Sequence, residues 1–186
     1  ETLCRLRGYD LSVAEGKHTR RLEKARKRFP PIVQLAITVS IEHLTAVLSE
    51  CMLSEGSVLE QADPTMAALW RWHSVEEMEH KAVAFDVYRA VGGTESMRMK
   101  VMRRVFFMSM MQFLSGTAYM LRKDGLLFSP GIWKDGLQDL FGKEGIVTSA
   151  KPSFQEFFRE GFHPWQQDTQ YLLDRWVQDF EVSTVA

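Results

Sequence analysis

The feature that most constrains the fold is a set of long helix-forming segments without any segment of strand periodicity. The runs from about Ile32 to Leu53 and from about Glu95 to Arg122 are rich in apolar helix-forming residues. Alternation of apolar and polar residues, which marks a half-buried strand, never extends beyond a few positions. The sequence therefore predicts an all-α protein. A length of 186 residues suits one domain with a sizeable core, so we expect a single helical domain over 1–186.

Local signals predict where the helices begin and end. The Pro30-Pro31 pair cannot continue a helix, so the first helix ends before it. Asp63-Pro64 is typical of a helix start, and Gly92-Gly93 is typical of a stop. The predicted helices cover about 12–29, 32–53, 63–91, 95–122, 132–141, 154–160 and 164–180.

Composition narrows the partners and the cell compartment. The net charge is -1 with 25% charged residues, so the chain lacks the basic excess of nucleic-acid-binding proteins. Cys4 and Cys51 have no CxxC spacing, which argues against a disulfide framework or a structural zinc site. The first ten residues, ETLCRLRGYD, lack the pattern of a secretory signal. We expect a cytoplasmic protein and, because there is no initiator Met, part of a longer chain.

One predicted helix carries an unusual concentration of ionisable side chains. The segment WHSVEEMEHKAVAFD, residues 72–86, holds four carboxylates and two histidines. On a helical projection Glu77 falls about 40° and His80 about 20° from His73, so the three share one face. Burying such groups without partners costs several kcal/mol, and a bound cation is a common way to offset that cost. The trio interrupts an apolar stripe that consists of Met66, Trp70, Ala84 and Val91, so we expect these groups to be enclosed in an apolar interior.

A second acid lies in the preceding apolar helix. Glu42 stands in AITVSIEHLTAVL, where Ala46 and Ser49 on its own face leave room beside the carboxylate. Glu77-x-x-His80 has the spacing that ferritin-like di-metal bundles place on two helices, with single Glu residues on the others. We therefore predict a metal site, with an internal salt-bridge cluster as the alternative. Its predicted ligands are Glu42, His73, Glu77 and His80, of which Glu42 and Glu77 are the predicted catalytic carboxylates.

Other candidates with similar chemistry fit less well. Glu15 and His18 repeat the ExxH spacing, but within a highly charged segment that favours a surface position. Glu76 flanks the predicted site and is a second choice, whereas Glu79 points away and is expected to be solvated. His43 points about 100° from Glu42 and is expected to be a peripheral or core histidine.

Two segments leave alternatives open. Val105–Leu121 contains no charged residue in seventeen positions. A buried bundle helix is the favoured interpretation, with membrane or lipid contact and a hydrophobic substrate channel as alternatives, because a span usually needs about 20 apolar residues. Seven basic residues fall within Lys17–Arg28 with only Glu23 opposing them, which is typical of a solvated helix face, the alternative being a surface for acidic partners.

The motif WHSVEEMEHKAVAFDVY, together with SIEHLTAVL before it, resembles the bacterial family of predicted metal-dependent hydrolases, whose fold is ferritin-like. GFHPW at 161–165 is similar to that family too; there His163 is expected to cap a turn, or else to approach the site. Family members carry an earlier helical segment with a QExxH-type motif. The resemblance therefore implies that one or two helices and part of the ligand set precede Glu1, and that the basic segment is a crossover connection.

The His73-x-x-x-Glu77-x-x-His80 triplet is also similar to the site of ferritin-like di-iron arylamine N-oxygenases. This resemblance implies two iron ions, bridged by Glu42, and oxidation of a small or apolar organic substrate with oxygen. Manganese or zinc would instead favour hydrolysis by a metal-bound water. A non-enzymatic bundle that binds lipid or membrane is a third hypothesis. We expect a small-molecule or acyl substrate, and the sequence leaves open a homodimer and peripheral membrane contact.

Overall fold

The computed structural model describes residues 4, 6 and 8–185, with side chains from 179 onward and a few near the N-terminus outside the description. The described chain is helical and contains no strand, which confirms the all-α prediction. Short 3-10 turns lie at Val58–Gln61 and Pro164–Gln166. The α-helices are α1 (Leu11–Arg28), α2 (Pro31–Leu53), α3 (Pro64–His80), α4 (Val83–Ala90), α5 (Glu95–Lys123), α6 (Pro130–Phe141), α7 (Ile146–Glu156) and α8 (Gln170–Val185).

Side-chain caps explain where the main helices begin. Asp63 accepts hydrogen bonds from the backbone N–H groups of Thr65 and Met66, and Pro64 occupies the first turn of α3. The Thr94 hydroxyl accepts from the backbone N–H of Met97 at the start of α5. The starts predicted for these two helices, near Asp63 and near residue 95, are thereby confirmed.

Helix α2 is the centre of the bundle. It packs against α3, α4, α5 and α7, and its apolar composition suits contact on several faces. Of the helices in the described part of the chain, only α2 is long and apolar enough to cross a membrane, with a mean hydropathy of 1.5. Core helices of soluble proteins have the same composition. The Val105–Leu121 segment, for which the sequence left a span open, does not pass this test.

The core consists of two clusters of buried side chains. The larger joins α2, α4, α5 and the end of α7, and the smaller joins the ends of α2 and α3 to α8. The buried members are Ala36, Val39, Phe85, Tyr88, Met102, Phe157 and Phe162 in the larger cluster, and Leu53, Val75, Met78 and Leu172 in the smaller.

Arg98 of α5 is buried within the larger cluster. Its guanidinium donates to the backbone carbonyls of Phe157 and, at 3.1 Å, Arg159, and it pairs with Glu95. It also lies 4.6 Å from the centre of the Phe157 ring. These contacts fix the end of α7 and the turn after it to α5, so a buried cation organises the aromatic core.

Three sequence predictions about helices were wrong. The helix predicted over 63–91 is interrupted at residues 81–82, between α3 and α4. The helix predicted over 154–160 lies earlier, as α7, and the one predicted over 164–180 is a 3-10 turn followed by α8.

The expected burial of the apolar segment Val105–Leu121 is also not found. Phe107, Met111 and Phe113 are 62%, 48% and 52% exposed. Only the first part of α5, which contains Arg98 and Met102, is buried against the rest of the bundle. Apolar composition indicates that a surface is suited to burial, but not which element covers it.

Candidate metal centre

The candidate site begins with two residues one turn apart on α3. His73 Nε2 lies 3.5 Å from Glu77 Oε1, and the two side chains are 48% and 25% exposed. The helical spacing of four positions places them on the same face, as the sequence predicted. The Trp70 ring lies edge-on to the His73 imidazole, with 5.7 Å between ring centres. One face of α3 thus presents an imidazole, a carboxylate and an aromatic side chain.

Glu42 on α2 belongs to the same group. Partial burial raises the pKa of its carboxyl group, the negative charge of Glu77 raises that pKa further, and the positive charge of His80 lowers it. Helices α2 and α3 pack against each other, and Glu42 lies within electrostatic range of Glu77 and His80.

The expectation that these groups are enclosed in an apolar interior was wrong. His73 and His80 are exposed, and Glu42 and Glu77 are half-buried. The apolar stripe beside them is open as well, since Trp70 is 41% and Met66 46% exposed. In the described part of the chain, no three His, Cys, Asp or Glu side chains are already arranged to hold a metal ion.

The chemistry of the donor set nonetheless fits a metal ion. Two carboxylates and two imidazoles suit iron, manganese or zinc. Burial and the charge of Glu50 raise the pKa of the Cys51 thiol. A cation would also relieve the repulsion between Glu42 and Glu77 that raises the Glu42 pKa.

The second-choice acids differ in exposure. Glu76 is half-buried and Glu79 is exposed, which confirms the prediction that Glu79 is solvated. The side chains of Glu15 and His18 lie outside the described residues.

His43 is a core histidine, as expected. It is buried against the rings of Phe157 and Phe162, with centres 4.6 and 5.4 Å away. Burial lowers the pKa of the imidazole to about 3, an effect that the nearby backbone carbonyl of Ser153 opposes. The ring is therefore neutral, and its Nε2 has no hydrogen-bond partner.

Lys81, which directly follows His80, anchors the motif to a distant segment. Its Nζ donates to the Gln167 carbonyl at 3.1 Å and to Thr169 Oγ1 at 2.8 Å. The same ammonium lies 5.0 Å from the centre of the Trp165 ring. The side chain is buried, and it sits where α3 ends. The sequence does not predict this role, because no local pattern connects residue 81 to residues 165–169.

Asp86 makes the second connection to that segment. His163 Nε2 lies 2.7 Å from Asp86 Oδ1, and His163 Nδ1 accepts from the backbone N–H of Trp165. Because Nδ1 is an acceptor, Nε2 carries the hydrogen that is donated to Asp86. The prediction that His163 caps a turn is confirmed, since it begins the 3-10 turn at Pro164–Gln166. The sequence signal for the Asp86–His163 pair was that the segment over 72–86 and the GFHPW segment occur in the same chain.

Comparison with known proteins identifies a family but no individual relative. No curated protein and no solved structure matches the chain. The sequence model of one family, described as predicted metal-dependent hydrolase, matches residues 1–168. This match includes Glu42, the ionisable residues of α3 and the GFHPW segment at 161–165. The chain belongs to the family of predicted metal-dependent hydrolases.

Proposed function

We propose that this protein is a metal-dependent hydrolase whose cation is held by Glu42, His73, Glu77 and His80. The observation that supports the proposal is that Glu42 from α2 lies within electrostatic range of Glu77 and His80 from α3. The family description supports the need for a metal ion. Mixed carboxylate and imidazole donors suit iron, manganese or zinc.

The protein's own groups would serve as ligands. His73, Glu77 and His80 share one helical face of α3, and Glu42 adds a carboxylate from α2. Without the cation, burial and the charge of Glu77 raise the pKa of Glu42, so a positive ion there would relieve that repulsion. A bound divalent cation supplies a polarised substrate oxygen and a water of lowered pKa.

The surroundings of the site favour a substrate with an apolar part. Trp70 stacks edge-on beside His73, and Met66 lies one turn before Trp70 on the same stripe; both are partly exposed. An acyl or aromatic group of an ester or amide would find apolar contact there, next to the metal ligands. We therefore place small organic acyl compounds ahead of nucleic acids or sugars as substrates.

A second candidate function is a di-iron oxygenase of ferritin-like fold that oxidises a small or apolar organic substrate. The observation that favours it is the donor set itself: Glu77-x-x-His80 with a further carboxylate from α2 and a further imidazole from His73. In this candidate Glu42, Glu77, His73 and His80 would hold the iron, which would supply oxygen activation. The two candidates share their ligands and differ in metal and in the need for oxygen.

Elemental analysis of the purified protein tests the shared ligand set. We expect bound metal in the wild type and loss of most of it in Glu77→Gln and His80→Gln. Glu79→Gln is the matched control, because it removes the same charge from an exposed position on the same helix. Circular dichroism checks that each variant keeps its helices. Equal metal content in Glu77→Gln and Glu79→Gln, or no metal in any of the proteins, would reject the site.

Assays with and without oxygen separate the two functions. Metal-loaded protein is given nitrophenyl acyl esters under argon, and a parallel sample loaded with ferrous iron is placed in an oxygen electrode. Ester cleavage without oxygen that disappears in Glu77→Gln supports the hydrolase. Oxygen consumption that depends on an apolar amine or alkane and on Glu77 supports the oxygenase instead.

A further inference from the structure

The apolar segment Val105–Leu121 of α5 is the largest run of exposed apolar side chains that the described chain contains. Phe107 and Met111 lie one turn apart on one face of the helix, and Phe113 is exposed on another. Phe106 is the exception, since it packs against Phe154 with 4.8 Å between ring centres. Leaving several large apolar side chains in water is unfavourable, and patches of this kind mark a binding surface.

Positive charges bracket this segment at both ends. Arg103 and Arg104 precede it, Arg122 and Lys123 follow it, and all four are exposed. Seventeen helical residues extend about 25 Å, which is shorter than the roughly 30 Å hydrocarbon core of a bilayer. Long cationic side chains at the ends of an apolar helix place their charges among lipid headgroups. The dimensions suit a helix lying in the membrane surface rather than one that crosses it.

Helix α1 adds further positive charge next to the apolar segment. Arg21 Nη1 donates to Gln112 Oε1 at 3.2 Å, and the backbone N–H of Asp10 donates to the Tyr119 hydroxyl at 3.0 Å. These contacts hold α1 alongside α5. Helix α1 therefore brings further positive charge to this part of the surface. Its exposed basic side chains are Arg20, Arg21, Lys24, Arg26, Lys27 and Arg28, with Glu23 as the acid among them.

The turn after α5 ends in another exposed aromatic residue. Phe128 is 92% exposed, and Leu126 beside it is 40% exposed. The turn is held by the Leu126 N–H to Leu121 carbonyl bond of 2.8 Å. A phenylalanine that is ordered on a tight turn and makes almost no contact with its own protein suits insertion between lipids.

The charge at the border selects the occupant. In a symmetric dimer formed through this surface, the same basic border of each copy would face the other, which is repulsive. Anionic phospholipid headgroups are complementary to that border, and each nearby lysine or arginine favours their binding. We propose that α1 and the apolar segment of α5 form a docking surface for a bilayer that contains anionic phospholipid. This inference is independent of the proposed metal chemistry.

Vesicle flotation tests the proposal on the whole chain. We expect binding to vesicles of phosphatidylcholine and phosphatidylglycerol in equal parts, weaker binding to phosphatidylcholine alone, and release by salt. Phe107→Ser with Met111→Ser should weaken binding roughly tenfold or more, because two apolar side chains no longer enter the bilayer. The matched control is Val58→Ser with Val83→Ser, which changes two exposed apolar residues outside α5.

A second pair of variants tests the charge. Arg20→Glu with Lys24→Glu should weaken binding to the anionic vesicles by roughly tenfold or more and reduce its dependence on salt. Lys143→Glu with Lys151→Glu, in exposed positions outside α1 and α5, should retain binding. The proposal is overturned if the wild type does not bind, or if the Phe107 and Met111 variant binds as well as its control. A dimer that dissociates in that variant, without vesicle binding by the wild type, would identify a second copy as the occupant.

Discussion

The neutral core histidine makes the stability of the fold dependent on pH, and replacing His43 by Leu should remove that dependence. Because burial lowers the pKa of His43 to about 3, the unfolded chain binds a proton that the folded protein does not. The folded state therefore loses stability as the pH falls below the ordinary histidine pKa of about 6.5. Between about pH 7.5 and pH 5.5 His43 lowers the free energy of unfolding by about 1.4 kcal/mol. This loss grows by a similar amount for each further pH unit until the pKa of the folded state is approached.

The measurement is urea denaturation at both pH values, followed by circular dichroism. Over this interval the free energy of unfolding of the wild type should fall by about 1.4 kcal/mol more than that of His43→Leu. This difference does not depend on the stabilities of the two proteins at the higher pH. His80→Gln is the control: it keeps His43 and should keep the difference. Equal losses in the wild type and His43→Leu would refute the reasoning, since the buried imidazole would then titrate alike in both states.

Three further variants test other features of the fold. Arg98→Met should lower the free energy of unfolding by about 3–5 kcal/mol, because two backbone carbonyls lose their donor; Arg103→Met, on the surface, should cost less than about 1 kcal/mol in the same denaturation experiment. Gly93→Ala should destabilise by about 1–3 kcal/mol in thermal unfolding, since a Cβ there would lie 2.4 Å from the Tyr88 ring. In the metal-free protein, the raised pKa of Glu42 lowers the free energy of unfolding as the pH rises from the ordinary glutamate pKa through the raised one. Glu42→Gln should remove this loss, measured by denaturation with a chelator present.

The ends of the central helices could be predicted because they depend on local chemistry. Pro31 and the Asp63 cap act within one turn of their own position, and both predicted boundaries are confirmed. The interruption after His80 could not be predicted. At this interruption the buried Lys81 side chain donates hydrogen bonds to Thr169 and Gln167, which lie far along the chain.

The candidate site was predictable in the same limited sense. Helical spacing indicates that His73 and Glu77 share a face, and it places Glu42 among small neighbours on another helix. It does not indicate whether a further element covers that face. The exposure of Trp70 and His73 is a property of the assembled helices, so the expected enclosure of the site could only be tested with the structure.

The contacts of Lys81 and Arg98 also set an order for folding during synthesis. Lys81 bonds to Thr169, 88 positions later, and Arg98 bonds to Arg159, 61 positions later. A nascent chain on the ribosome contains both cations long before their partners have been translated. Neither charge has its final acceptors until most of the protein has emerged, and contacts between such distant positions form slowly. The segment with the candidate metal ligands is thus made early but stabilised late, and a chain truncated before residue 159 would leave both cations without those acceptors.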